Sequence, residues 1–269
     1  MLKEYVAAPT GATQSVDEFV ASFWDQQWSN LKDTRHLQRL RLREEYRFLK
    51  KNIPYYKARS LDVLDCGCGL GEWTQLFNLD GHRSVGIDIA EETIRRLREK
   101  GGDTYRLGDF RNIDCPDNSC DVVVNWGGIE HFEEGPTPAI VEAKRVLRPG
   151  GWFVATTPCH NFRLFLLDSL LGKGIGPGYP IEGQRFYQYR FSRAELEGYF
   201  KACGFKEVKS RIVNGMQGFS RSLDHELRWF GQWLPRLVKT VLSLVGGVLF
   251  RPVLGHMVIC CGQKPGESL

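Results

Sequence analysis

The sequence has no apolar run long enough to cross a bilayer. Its most apolar stretch, Thr240–Phe250, is eleven residues, against the ~20 a spanning helix needs. Met1–Gly11 has no apolar core run and does not read as a signal peptide. Eight cysteines are present, yet none is spaced as a zinc motif or a disulfide framework, and Cys260 and Cys261 are adjacent. Cys66 and Cys68 sit inside a glycine-rich turn, where a crosslink would obstruct the backbone. The thiols are therefore expected to be reduced, packed as small apolar residues, in a cytoplasmic protein. There is no internal repeat and no long low-complexity tract. The net charge is only +4, which argues against a chain that is basic throughout.

What is present is the composition of a globular protein: 269 residues, 42% apolar and 25% charged. That length allows one or two domains. The charge is uneven, since residues 32–59 hold ten Lys and Arg against three acidic residues. Leu37, Leu40, Leu42, Tyr46, Phe48 and Leu49 interleave with the arginines there, and the stretch reads as a basic helix ending before Pro54. The plain reading is a solvated helical face. The sharper readings are contact with anionic lipid or with nucleic acid. Ser15–Asn30 reads as a short helix, with Val16, Phe19, Val20, Phe23, Trp24 and Trp28 near one face. From 61 to 158 strand and helix alternate, which implies a parallel sheet with right-handed crossovers and a ligand beyond the carboxyl ends of its strands.

The most informative stretch is 63–73, Val-Leu-Asp-Cys-Gly-Cys-Gly-Leu-Gly-Glu-Trp. A buried strand ends in Asp65 and opens onto Gly67, Gly69 and Gly71. Without a Cβ, glycine tolerates φ > 0 and lets bare backbone approach a ligand. The third glycine comes one residue earlier than in the dinucleotide fingerprint. A second strand over 83–89 ends in Asp88, 21 residues after Gly67, about the distance at which an acid meets ribose hydroxyls. A third, over 104–110, ends in Asp109 and Phe110. A fourth, Asp121–Trp126, runs into Gly127-Gly128-Ile129-Glu130-His131.

This ordered set resembles the class I S-adenosylmethionine-dependent methyltransferases, nearest the branch acting on small molecules and quinones. Val146–Gly151 resembles the turn before the family's fifth strand, Trp152–Thr157. Phe191-Ser192 with Cys203-Gly204-Phe205 resembles the helix before the sixth, and His256–Gln263 stands as the seventh. The resemblance covers roughly 61–213 and 256–264. It implies an α/β, Rossmann-like fold: a seven-stranded, mostly parallel sheet with the last strand antiparallel, plus helical lid and cap insertions. The expected organisation is a helical cap and basic helix over 1–60, a methyltransferase domain over 61–264 and a tail over 265–269. The insertions fall at 159–190, whose glycines suit a mobile lid, and at 214–255. The second reads as a cap over a greasy substrate, a membrane-interface segment or a dimer face.

The resemblance implies S-adenosyl-L-methionine as cofactor, held by Asp65, Gly67, Cys68, Gly69, Asp88, Ile89, Asp109, Phe110, Asn125 and Trp126. Asp109 would hold the adenine amino group and Phe110 would flank the ring. Methyl transfer to a hydroxyl also needs a base. His131 is the first candidate, in a Glu-His pair similar to that of quinone O-methyltransferases, and a loop-pinning role is the alternative. His160 is the second candidate. Trp24, Tyr187 and Tyr189 are expected to line the substrate pocket. In the quinone branch an acid three residues before the Glu helps bind a metal; here that position is Gly127, so no metal is expected. The functional expectation is O-methylation of an aromatic or lipid-like small molecule, with peripheral membrane contact as a further expectation and the oligomeric state open. The rivals are a nucleic-acid or protein methyltransferase and a binding module without turnover. Against the first, no Asn/Asp-Pro-Pro-aromatic signature follows the fourth strand.

Overall fold

The computed structural model describes residues 1–7, 15–29, 37–160, 184–215, 236–249 and 255–266. Its frame is a seven-stranded sheet. Strands β2 (Asp62–Cys66), β3 (Arg83–Asp88), β4 (Tyr105–Leu107), β5 (Cys120–Trp126) and β6 (Leu147–Pro158) are mutually parallel. Strands β8 (Lys206–Val213) and β9 (Met257–Gln263) complete it in the order β4-β3-β2-β5-β6-β9-β8, with β9 antiparallel to both neighbours. That is the expected sheet, with the antiparallel strand last in the chain.

The central strands are apolar on both faces because helices cover both. Leu64, Cys66, Val123, Phe153 and Ala155 face one core. Their alternating neighbours Val63, Val122, Val124, Trp152 and Val154 face the other, as the two-residue period of a strand requires. Helices α4 (Glu72–Leu79), α5 (Glu91–Gly101) and α6 (Thr137–Val146) make the early crossovers, and α7 (Arg193–Ala202) precedes β8. Ser192 and Glu195 close a capping box at the start of α7. The chain leaves β2 toward β3 and β4, then returns to the other side of β2 as β5. The sheet thus has its topological switch point between β2 and β5, where an open α/β sheet binds its ligand.

Three local features differ from the sequence reading. The basic stretch is two helices, α2 (Leu37–Leu40) and α3 (Glu44–Asn52), separated at 41–43. Its Leu40, Tyr46, Phe48 and Leu49 are core residues under the sheet. The segment is fastened by Asp80, which accepts hydrogen bonds from the Tyr46 and Tyr56 hydroxyls (2.6 and 2.8 Å) and from Arg41 (2.7 Å). Second, an unforeseen strand β1 (Leu2–Ala7) pairs antiparallel with β7 (Gln184–Arg190), forming a two-stranded ribbon apart from the main sheet. Third, β4 is only three residues long, so Asp109 lies in the turn beyond it rather than at its end.

Helix α1 (Val16–Ser29) packs against α5 and β7. Asp25 fixes it to the start of α5 by accepting from the Thr93 amide and hydroxyl (2.9 and 2.7 Å). Most of both insertions, including the glycines of the first, lies outside the described residues. In the second insertion, α8 (Arg236–Leu249) is described, and it exposes Val238, Val241, Leu242, Val245 and Leu249. Among the described residues no helix is long and apolar enough to cross a membrane.

Candidate active site

A cavity of about 420 Å³ opens at the switch point. Its floor is the turn after β2. Gly67, Gly69 and Gly71 have φ of 72°, 50° and 72°, left-handed values that side chains rarely adopt. A Cβ on Gly71 would stand 2.5 Å from the Tyr105 ring. The Gly69 amide donates to Asp88 Oδ2 (2.8 Å) and the Ala90 amide to Oδ1 (3.0 Å), so Asp88 ties the turn to the end of β3. Burial pushes the Asp88 carboxyl up, and these backbone bonds oppose that.

The sequence-derived residues separate into wall and support. Gly67, Cys68, Gly69, Asp88, Ile89, Phe110, Asn125, Trp126, Trp24 and His131 line the cavity. Asp65 does not. It is fully buried beneath the turn, with Oδ2 accepting from the Thr74 hydroxyl (2.7 Å) and Oδ1 unpartnered. Burial raises its pKa to about 7, so Asp65 supports the loop from behind. Asn125 lines the wall but spends its side chain on backbone. Its amide donates to the Cys66 carbonyl (2.7 Å), and its oxygen accepts from the Gly128 and Ile129 amides (3.0 and 3.1 Å). It clamps the ends of β2 and β5 together. Trp126 stacks on Trp73 at 4.5 Å.

Asp109 is also absent from the cavity wall. Arg111 takes both of its oxygens, from Nε at 3.1 Å and Nη2 at 2.7 Å. Burial opposes ionisation of Asp109, but the hydrogen bonds from Arg111 outweigh it and hold the pKa below the ordinary value. The same guanidinium reaches Asp17 of α1 (2.7 Å) and Glu134 (2.8 Å) and lies over the Phe132 ring. The spacing that pointed to Asp109 carried no sign of this cation.

His131, on the same wall, is buried. Its Nδ1 meets the Tyr187 carbonyl at 2.7 Å. A carbonyl only accepts, so Nδ1 carries the proton and Nε2 is the basic nitrogen of the neutral ring. Burial lowers the His131 pKa, offset in part by that carbonyl and by Glu4. Trp24 and Tyr187 each pack edge-on against the imidazole (5.6 and 5.1 Å), and Phe23 closes the ring of contacts against both (5.4 and 5.5 Å).

Tyr187, expected to line the substrate pocket, packs on His131 and is not part of the cavity wall, and the remaining candidates also stand elsewhere. Tyr189 is buried in the core with its hydroxyl on the Glu133 carbonyl (2.6 Å). His160 lies outside the cavity wall, its amide bonded to the Phe191 carbonyl. Glu130 is buried, is not part of the wall, and desolvation raises its pKa to about 8. The Trp28 side chain lies outside the described residues. Burial also drives Cys66 and Cys68 well above ordinary thiol values, which leaves no thiolate nucleophile at the turn. Among the described residues no cluster of metal-binding side chains forms.

Against known proteins, residues 64–155 match the family model described as a methyltransferase domain. That span begins in β2 and ends in β6, and so holds the glycine turn, Asp88 and His131. By that match, residues 64–155 are a methyltransferase domain. A probable S-adenosylmethionine-dependent methyltransferase of Mycolicibacterium smegmatis is 31% identical over 168 residues, 61% of this chain and 60% of that protein. A malonyl-[acyl-carrier protein] O-methyltransferase of Yersinia pestis is 34% identical over 96 residues, 35% of this chain and 36% of that protein. The chain therefore spans less than two thirds of the length of either relative. A crystal structure of a SAM-dependent methyltransferase from Archaeoglobus fulgidus superposes with a TM-score of 0.56 at 20% identity, covering 90% of this chain and 99% of that one. At that identity the likeness is one of fold.

The methyltransferase domain's cavity fits the cofactor on its own geometry. It offers glycine backbone with no Cβ in the way, an acid at the end of β3 and apolar walls at Ile89, Phe110 and Phe132. Arg43 also lines it, and the sequence reading had no means to single it out among the arginines of its stretch. It stands at the start of α3, in the break between the two short helices, exposed at the edge of the cavity.

Proposed function

We propose that the protein transfers the methyl group of S-adenosylmethionine to a hydroxyl of a small, aromatic or lipid-like acceptor. The observation that carries this reading is that one cavity has the glycine turn, Asp88 and His131 in its wall. The cofactor would lie along the turn, with its ribose hydroxyls at Asp88, its adenine between Ile89 and Phe110, and its methionine carboxylate toward Arg43. It supplies a methyl carbon already activated by a cationic sulfur, so the protein need not generate an electrophile. The chain's own task is to hold the acceptor hydroxyl in line and exclude water. His131 Nε2 accepts the hydroxyl proton while Nδ1 stays bonded to the Tyr187 carbonyl.

Trp24, on the cavity wall beside the base, suits a flat apolar acceptor. The relative named as an O-methyltransferase supports oxygen as the methylated atom. The basic residues of α2 and α3 give a nucleic-acid reading less support, because that segment's apolar side is consumed by the core.

The cofactor reading is tested at Asp88. Asp88→Ala removes a charged acceptor and leaves the Gly69 and Ala90 amides unpaired. S-adenosylhomocysteine affinity should fall by about 1.5–3 kcal/mol, roughly 10- to 150-fold. Asp88→Asn keeps one acceptor oxygen and should lose less. Unchanged affinity in Asp88→Ala, measured by calorimetry, would remove the ribose assignment.

A further inference from the structure

The β1–β7 ribbon contains an irregularity at one informative place. Lys3 faces Tyr189 and Glu4 faces Gln188, but the next residue, Tyr5, faces Phe186. Tyr187 is thus the extra residue of a β-bulge, with no opposite number on β1. Bulges interrupt a ladder and re-aim the residue they insert. Here the re-aimed residue is the one whose carbonyl receives His131 Nδ1–H and whose ring packs on the imidazole. The bulge is locked on its β1 side by a single side chain. Glu4 pairs with Arg190 Nε at 2.6 Å and accepts a hydrogen bond from the Gln188 side-chain amide. Both ends of the Glu4–Arg190 pair are mostly buried, at 15% and 17% side-chain exposure, so the pair is held in one geometry and is weakly screened.

We infer that strand β1, through Glu4 and the bulge it fixes at Tyr187, is the positioning element that sets the tautomer of His131 and presents Nε2 to the acceptor. Glu4 acts through the backbone of β7 and does not touch the acceptor. A one-residue slip of β7 against β1 would remove the bulge, return Tyr187 to the ladder and withdraw its carbonyl from Nδ1. The imidazole would then be free to carry its proton on Nε2, the tautomer that cannot accept from a hydroxyl. The stretch Leu2–Ala7, more than 120 residues from His131 in the chain, thereby becomes part of the base. The catalytic consequence rests on the methyl-transfer reading; the tautomer does not.

Histidine-selective ¹⁵N labelling and NMR at neutral pH, on the full chain without any ligand, read the tautomer directly. In the wild type, His131 should be a neutral ring with its proton on Nδ1. In Glu4→Ala, the Nε2–H form should rise from under ~10% to about a third or more. Turnover should fall about tenfold in kcat with little change in the KM for cofactor. Glu4→Gln keeps an acceptor for Gln188 but loses the ion pair, and should fall between. A chain lacking residues 2–7 should show the full effect; if it does not fold, Glu4→Ala decides alone. A single Nδ1–H tautomer retained in Glu4→Ala, or an Nε2–H tautomer in the wild type, would overturn the inference. Neither result depends on finding the acceptor, so loss of this inference and loss of the methyl-transfer reading are separate outcomes.

Discussion

Gly69→Arg should abolish S-adenosylhomocysteine binding while leaving the protein folded. Gly69 lines the cavity at φ 50°. A side chain there costs roughly 1–2 kcal/mol of backbone strain, a small part of the 5–15 kcal/mol typical of a folded domain. The same side chain projects from the floor against which the cofactor would lie. Its strain also pulls on the Gly69 amide that meets Asp88. Calorimetry should therefore show no binding, with the far-ultraviolet spectrum unchanged and the melting temperature only modestly lower. Unimpaired binding would mean that the turn is not the cofactor floor.

His131→Ala should lower turnover by about 10²–10⁴-fold with cofactor affinity nearly intact. His131 takes no part in the bonds that tie the glycine turn to Asp88, which is why the two quantities should separate. The pH profile gives a second signature. Burial holds the His131 pKa below its ordinary value, and a base works only when neutral. Wild-type turnover should be flat near pH 7 and fall as pH drops through that depressed value, below about 6.5. The variant should lack that limb. The sign for stability is the same: a histidine with a depressed folded pKa contributes stability that is complete above the unfolded value and is lost as pH falls. If His131 instead only pinned the loop to β7, affinity and melting temperature would fall together and the acid limb would persist.

Much of this site was legible because parallel strands buried on both faces read as plain apolar runs. Val63–Leu64 and Val122–Val124 announce themselves, and whatever follows their carboxyl ends is a candidate. That logic reaches the glycine turn, Asp88 and His131 without a structure. It misplaces Asp65 and Asp109, because sequence reports that an acid ends a strand but not which way its carboxylate turns. Asp65 turns inward to Thr74, and Asp109 is taken by Arg111, two residues on. Tyr187 and Tyr189 share a face by counting, but the bulge opposite Glu4 and Tyr5 breaks the count, sending one ring to His131 and the other into the core. The pairing of β1 with β7 was not legible at all. Leu-Lys-Glu-Tyr-Val-Ala carries no strong strand signal, and its partner lies some 180 residues away. The basic stretch shows the reverse: its leucines and aromatics were visible, but only tertiary packing reveals that they are core and that Arg43 stands at the edge of the cavity.

The most direct test supplies methyl-labelled S-adenosylmethionine and a metabolite extract to purified wild-type protein, with Gly69→Arg in parallel, and follows the label by mass. The account predicts enzyme-dependent label in the small-molecule fraction, on oxygen, and none with Gly69→Arg. Label confined to protein or nucleic acid would contradict it, as would a wild-type protein that binds NAD as tightly as S-adenosylhomocysteine.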